Sequence, residues 1–163
     1  MKSRQTGLTL LEFGAAAVIL SIAAALLLNR LVYYQEVVEK LHMELTARAL
    51  KSALRMEIAD DLMAGRRISV ERLVQGNPME WLGQKPANYA GERTKLDPDL
   101  LQQGNWYFDR DHNELVYLVD HGRHFHPDSK GYKRVRYGVR PVQGQEQEWV
   151  RLVELEPYRW EIP

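Results

Sequence analysis

The chain of 163 residues contains no cysteine, so no disulfide can stabilise the fold, and its stability depends on an apolar core. It also lacks an excess of charge, because 22 basic side chains balance 22 acidic ones. This balance argues against a general nucleic-acid binder, whose surface would be markedly basic. The sequence shows no nucleophile–base set and no glycine-rich phosphate loop. It therefore indicates neither an enzyme nor a cofactor-binding protein.

Proline and glycine are almost absent from the first 64 residues. No proline occurs before Pro78, and Gly14 is the only glycine between Gly7 and Gly65. Since these residues disfavour helices most strongly, we expect one continuous helix from Leu8 to position 64, ended by Gly65. At 1.5 Å per residue, such a helix would be about 85 Å long.

Charge is absent from residues 13–28, which are apolar with few exceptions. The segment 8–28 has the length that a helix needs to cross the roughly 30 Å hydrocarbon core of a bilayer. Its single ionisable residue is Glu12. A carboxylate inside such a segment costs about 2.5–3.5 kcal/mol on insertion scales, so we expect Glu12 to have a partner or a function.

The charges before this segment predict its orientation. Lys2 and Arg4 precede it, which places the amino end in the cytoplasm and the carboxyl-terminal domain outside the inner membrane. A cleaved signal peptide is an alternative, because the three alanines at 23–25 resemble a small-residue cleavage site. The acid inside the apolar segment and the helix pattern that continues past Leu28 favour a retained anchor.

The amino end has a characteristic order of residues. A short basic leader, residues 1–7, ends in Gly7; Leu8 and Thr9 follow, and Glu12 is the fifth residue after the glycine. In this order, the amino end resembles that of type IV prepilins and the related pseudopilins. The resemblance implies that a prepilin peptidase cuts between Gly7 and Leu8 and methylates the new amino group of Leu8. It also implies that Thr9 and Glu12 act in assembly, and that Glu12 pairs with the amino group of a neighbouring subunit, because a charge in a low-dielectric environment needs a partner. Where the family usually starts its mature chain with phenylalanine, this chain has Leu8.

The resemblance further implies a single-pass inner-membrane subunit with its carboxyl-terminal domain in the periplasm. An inner-membrane assembly platform would incorporate it, with other pilin or pseudopilin subunits, into a pilus or pseudopilus. We expect a minor pilin, because the leader is joined to a head without cysteine and without a low-complexity, surface-variable region. Residues 106–119 and the carboxyl end are similar to minor pilins of the mannose-sensitive haemagglutinin type. Two alternatives remain open: a type II secretion pseudopilin, and an uncleaved bitopic inner-membrane protein with a periplasmic ligand-binding domain.

Residues 29–65 continue the helix with an amphipathic pattern. Apolar residues recur every three or four positions, at Tyr34, Val38, Leu41, Leu45, Ala49, Ala53 and Met56. This spacing predicts one apolar stripe, on which we expect the globular head, residues 66–163, to pack. Charged residues lie mostly off the stripe, and the pairs Glu36/Lys40 and Glu44/Arg48 have a favourable helical spacing.

The head contains a short helix at 69–74 and two strand pairs. The first pair, residues 106–108 and 114–119, is rich in aromatic and β-branched residues and predicts a hairpin. The second pair, residues 134–140 and 149–155, alternates polar with apolar residues and predicts another hairpin. Residues 84–99 are expected to form a surface loop. The predicted fold is therefore α+β and pilin-like, with a long amino-terminal helix packed on a four-stranded antiparallel sheet.

Three histidines, His121, His124 and His126, lie close enough in sequence to bind one zinc ion. A polar loop that contains glycine and proline is more typical of solvated surface, so we assign no metal there.

A second acidic motif, Asp109-x-Asp111-x-Asn113, resembles the start of a calcium loop. Glu114 stands where that loop needs glycine. A charged hairpin turn is the preferred interpretation of residues 109–113.

Overall fold

The structure, a computed structural model, describes residues 9–142 and 149–163. Its first element is a single helix, α1, which spans Leu10–Met63. The helix ends as predicted, because Gly65 adopts a positive φ of 64°, a conformation that glycine accepts without steric cost. The backbone N–H of Arg66 then donates to the carbonyl of Asp61 at 2.9 Å. Within the described residues, the expected continuous helix is confirmed.

Two short helices follow α1. The helix α2 spans Val70–Gln75, and the side chain of Ser69 accepts a hydrogen bond from the backbone N–H of Arg72 at its start. A 3-10 helix spans Pro78–Trp81. The capping serine confirms the helix predicted at this place.

The rest of the described chain forms two sheets. Its strands are β1 (Tyr89–Arg93), β2 (Trp106–Asp109), β3 (Glu114–Leu118), β4 (Phe125–His126), β5 (Arg134–Val142), β6 (Trp149–Glu154) and β7 (Arg159–Trp160). The larger sheet has the order β1-β2-β3-β5-β6, while β4 and β7 form a separate pair. Strand β1 runs parallel to β2, and the other neighbours are antiparallel.

The prediction of an α+β fold and of the two hairpins is confirmed, but that of a four-stranded antiparallel sheet is wrong. The region expected to be a surface loop contains β1, which adds a parallel fifth strand at one edge. The sequence of β1 has no regular strand pattern, because the strand is irregular: Gly91 has a φ of 90° and the register shifts between Tyr89 and Glu92. An irregular edge strand is held by backbone bonds to its neighbour and needs no alternating pattern of its own.

The main core lies between α1 and one face of the larger sheet. The helix buries five apolar residues there: Met43, Ala47, Leu50, Leu54 and Ile58. From the sheet, the rings of Trp106, Tyr117 and Tyr137 pack together, with centroids 5.0 and 5.9 Å from that of Trp106. A smaller cluster covers the other face, where Leu96 and Leu101 pack on strands β2 and β3.

The prediction that the head packs on the stripe from Tyr34 to Met56 is wrong. Of its seven residues, six are exposed and Ala53 is half-buried. The helix has two apolar faces with the same spacing. The head packs on the face that carries Met43, Ala47, Leu50, Leu54 and Ile58. Leu45, nine residues beyond the buried Glu36, lies half a turn away from it, since each residue turns the helix by about 100°.

Candidate assembly surface

The first half of α1 stands free of the head. Every described residue from Thr9 to Val32 is exposed. The most apolar 18-residue window of this helix has a mean hydropathy of 2.3, and none of that window is buried. By length and composition, the helix is therefore able to cross a membrane.

The amino end of α1 brings together two of the predicted site residues, Thr9 and Glu12. The backbone N–H and the hydroxyl of Thr9 donate to Oε2 of Glu12 at 2.8 and 2.9 Å, and the backbone N–H of Glu12 lies 3.3 Å from the hydroxyl of Thr9. This is a capping box, which satisfies donors that the first helical turn leaves open. The sequence contains the signal for this cap, threonine followed three residues later by glutamate. The predicted cleavage pair, Gly7 and Leu8, lies outside the described residues.

An exposed apolar stripe runs from this free half onto the part of α1 that carries the head. We define the outer stripe as Leu20, Leu27, Leu31, Tyr34, Val38, Leu41 and Leu45, all of which are exposed. Successive members are three, four or seven residues apart, so they follow one side of the helix. Leu45 is 49% exposed, whereas Leu50 on the core face is 0% exposed. One side of α1 thus holds the head, and the opposite side remains available.

Glu36 fixes the head to α1 from inside the protein. It is 1% exposed and accepts hydrogen bonds from the backbone N–H of His124 at 2.7 Å and from Nε1 of Trp160 at 2.9 Å. Its second oxygen lies 2.7 Å from Nδ1 of His124. Burial alone raises the pKa of the Glu36 carboxyl, but the hydrogen bonds from His124 and Trp160 outweigh it and leave this pKa below its ordinary value. The predicted Glu36/Lys40 pair does not form, because Lys40 donates to the carbonyl of Trp160 at 2.7 Å instead.

Glu39, one turn further along α1, anchors the neighbouring loop. Its carboxylate accepts from the backbone N–H groups of Asp120 and His121 at 2.7 and 2.6 Å and from the hydroxyl of Tyr117 at 3.0 Å. The predicted Glu44/Arg48 pair does form, with a separation of 3.5 Å.

The three histidines therefore do not converge on one point. His121 and His124 are half-buried against Glu39 and Glu36, and His126 is exposed on β4. The first two are less exposed than a fully solvated loop would leave them, because the carboxylates of Glu36 and Glu39 on α1 hold them. Among the residues that the structure describes, no group of three or more histidine, cysteine, aspartate or glutamate side chains is placed to hold a metal ion.

The acidic motif at 109–113 forms the turn of the β2–β3 hairpin, as predicted. The carboxylate of Asp109 accepts from the backbone N–H of Asp111 at 3.0 Å and lies 2.8 Å from Nδ1 of His112. Asn113 has a positive φ of 52°, which asparagine tolerates in turns. The oxygens of Asp109 are used to shape the turn.

No protein-family model matches the chain, and neither a curated protein nor a solved structure matches it. The functional assignment therefore rests on the residues and geometry of the chain itself. The features that bear on it are the free apolar half of α1, the Thr9–Glu12 cap and the outer stripe.

Proposed function

We propose that this chain is a minor pilin or pilin-like subunit, cleaved by a prepilin peptidase after Gly7 and assembled into a type IV pilus-like filament. The observation that carries the proposal is the outer stripe. A single-pass anchor needs only an apolar segment of membrane length, whereas here the apolar side continues through Tyr34, Val38, Leu41 and Leu45, where the opposite side already packs on the head.

The outer stripe supports assembly for an energetic reason. Full burial of a leucine, valine or similar side chain contributes about 1.5–3 kcal/mol relative to exposure. A contiguous exposed apolar surface on a folded domain marks a contact with another protein or with a membrane. A neighbouring subunit with the same kind of helix would cover the whole stripe, both within the membrane segment and beyond it.

The amino end supports a second contact between subunits. Both donors of Thr9 use Oε2 of Glu12, and within the described residues Oε1 accepts no hydrogen bond. We propose that Oε1 receives the methylated amino group of Leu8 from an adjacent subunit. In a low-dielectric environment, such a pair stabilises both charges.

In this proposal, the chain is inserted with its amino end in the cytoplasm and its head in the periplasm. The inner-membrane assembly platform then extracts it into the filament. The chain acts as a structural subunit that binds other pilin subunits.

The test is the intact mass of the protein purified from membranes of cells that contain a prepilin peptidase. We expect the loss of residues 1–7 and the addition of one methyl group at Leu8. Cells without the peptidase provide the control and should yield the full-length chain. A chain that keeps its first seven residues in the presence of the peptidase contradicts the proposal and supports an uncleaved anchor.

A further inference from the structure

A groove lies between the second half of α1 and strand β6. Its volume is about 590 Å³. Its floor includes Leu54 and Leu152, which are buried in the core, and its walls include Lys51, Arg55 and Arg151. Strand β6 is an edge strand of the larger sheet, so the groove opens at the side of the head. Its chemistry suits an apolar side chain flanked by carboxylates.

A loop of this chain has that chemistry. Leu100 is 82% exposed and follows Asp97 and Asp99, which are exposed as well. The loop is well defined: Pro98 is buried, the backbone N–H of Leu100 lies 3.2 Å from the carbonyl of Asp97, and the N–H of Asp99 lies 3.1 Å from the Asp97 side chain. A leucine held outward in a fixed turn loses little conformational entropy when it binds.

The loop and the groove are the two places where the described head exposes large apolar side chains outside α1. Among the described residues, these side chains are Leu100 in the loop and Val142 at the groove. The loop follows β1, whereas the groove borders β6, and these are opposite edges of the five-stranded sheet. They also lie on different faces, because Leu101 packs on the face that α1 does not cover. The loop of one chain is thus placed to meet the groove of another chain and not its own.

We infer that the loop 97–100 of one copy docks into the groove of a second copy, with Leu100 on the apolar floor and Asp97 and Asp99 beside the basic side chains. This inference rests on the proposed function and adds a contact between heads to the contact between helices. Because the two surfaces differ, the contact is heterologous. A heterologous contact leaves the loop of one copy and the groove of the other open to further subunits.

Cysteine cross-linking tests this contact directly, because the natural chain has no cysteine. Two differently tagged full-length chains, one with Leu100→Cys and one with Val142→Cys, are produced together in membranes and treated with a short bismaleimide. We expect cross-linked dimers that carry both tags. Either variant alone should give none, since a heterologous contact brings unlike positions together.

The matched control pairs Leu100→Cys with Glu161→Cys, an exposed position near the carboxyl end. Equal cross-linking of the control pair, no cross-linking of the test pair, or dimers of Leu100→Cys with itself would each overturn the inference.

Charge reversal provides a second measurement on the same cysteine pair. Asp99→Lys in the loop partner keeps the Asp97 side chain that shapes the turn and should lower the yield of cross-linked dimer by about tenfold, which corresponds to 1.4 kcal/mol. Lys51→Glu with Arg55→Glu in the groove partner should do the same, and the two reversals together should restore the yield. Glu71→Lys, at an exposed position on α2, is the control. Reversals that lower the yield no more than Glu71→Lys would overturn the inference.

The intact mass of the same samples separates this inference from the proposed function. Loss of residues 1–7 without specific cross-linking would overturn the docking and leave the proposed function intact. Specific cross-linking of chains that keep residues 1–7 would support the docking and overturn the proposed function.

Discussion

The two halves of α1 are parts of one continuous helix, yet they obtain their stability from different sources. From Thr9 to Val32, every described residue is exposed, so the protein itself selects no face of the helix. Beyond Val32, the helix has a core face and an outer face, and buried carboxylates mark the core face. The comparison shows that apolar content alone does not reveal what a helix packs against. Within the described residues, the head provides no packing partner for the first half.

Each half also contains an informative acid. Glu12 in the first half is exposed, and within residues 9–142 and 149–163 its side chain bonds to its own helix start, at Thr9. Glu36 in the second half is buried and bonded to His124 and Trp160, far away in the sequence. The same side chain therefore serves the helix terminus in one half and the tertiary fold in the other.

A second buried acid, Asp61, marks the other end of the core face. It accepts hydrogen bonds from Arg66 at 3.0 Å and from Arg72 at 2.7 Å. The hydrogen bond from Arg66 contributes most to lowering the pKa of Asp61. Because a buried carboxylate without partners is costly, Glu36 and Asp61 each favour the packing of the head that supplies His124, Trp160 and Arg72 as their partners.

The largest expected effect concerns the acid in the first half. Glu12→Ala should leave cleavage after Gly7 intact and should abolish incorporation into the filament, because the proposed partner of the Leu8 amino group is lost. Cleavage is measured by intact mass, and incorporation by the amount of the chain in sheared filaments. Normal incorporation of this variant would contradict the proposed role of Glu12.

The loss of Glu12 also removes its part of the capping box at the start of α1. Thr9→Ala removes the capping hydroxyl and keeps the carboxylate, so it is the control for this local effect. We expect Thr9→Ala to be incorporated better than Glu12→Ala.

Replacement of Glu36, the buried acid in the second half of α1, should instead lower the free energy of unfolding. Glu36→Ala leaves the buried donors of His124 and Trp160 without their acceptor, and we expect a loss of about 3–5 kcal/mol in the free energy of unfolding. Denaturant unfolding of the full chain in detergent, followed by tryptophan fluorescence, measures this loss. Glu44→Ala, which breaks the surface pair with Arg48, should cost less than about 1 kcal/mol. Equal losses for the two variants would show that Glu36 does not anchor the head.

Substitutions of Leu50 on the core face and Leu45 on the outer face distinguish the two faces of the second half. Leu50→Ala creates a cavity in the core and should cost about 2–5 kcal/mol, whereas Leu45→Ala should change stability by less than about 0.5 kcal/mol. The same unfolding assay compares them. For Leu45→Asp, we expect near-normal stability and reduced incorporation into filaments, because the charge would lie within the contact between helices. Normal incorporation of Leu45→Asp would exclude the outer stripe from assembly.

The smallest expected effect is that the contribution of Glu36 to stability decreases at acid pH. The pKa of Glu36 is lowered in the folded protein, so its contribution to stability is fully present above the unfolded value of about 4.3 and is lost as the pH falls through the folded value. The difference in unfolding free energy between the natural chain and Glu36→Gln should therefore shrink below about pH 4.3. A difference that stays constant from pH 7 to pH 3 would contradict the assignment.

Much of the head was predictable from local patterns. The hairpins β2–β3 and β5–β6, the helix capped by Ser69 and the turn at 109–113 each depend on neighbouring residues, and each is present. The parallel strand β1 was missed, because an irregular edge strand has no period to detect. The packing face of α1 was assigned wrongly, since two apolar faces with the same spacing are equally good candidates when the sequence is considered alone.

By itself, the sequence determined that α1 would be long and unbroken, that it would end at Gly65, and that its first half would be apolar enough to cross a membrane. These properties depend on helix propensity and composition, which are local. Only the tertiary structure decided which side of α1 carries the head and that Glu36 is buried there. That choice depends on His124 and Trp160, which are 88 and 124 residues away along the chain. A contact between residues so far apart leaves no periodic signal in the sequence, because folding and not sequence spacing brings them together.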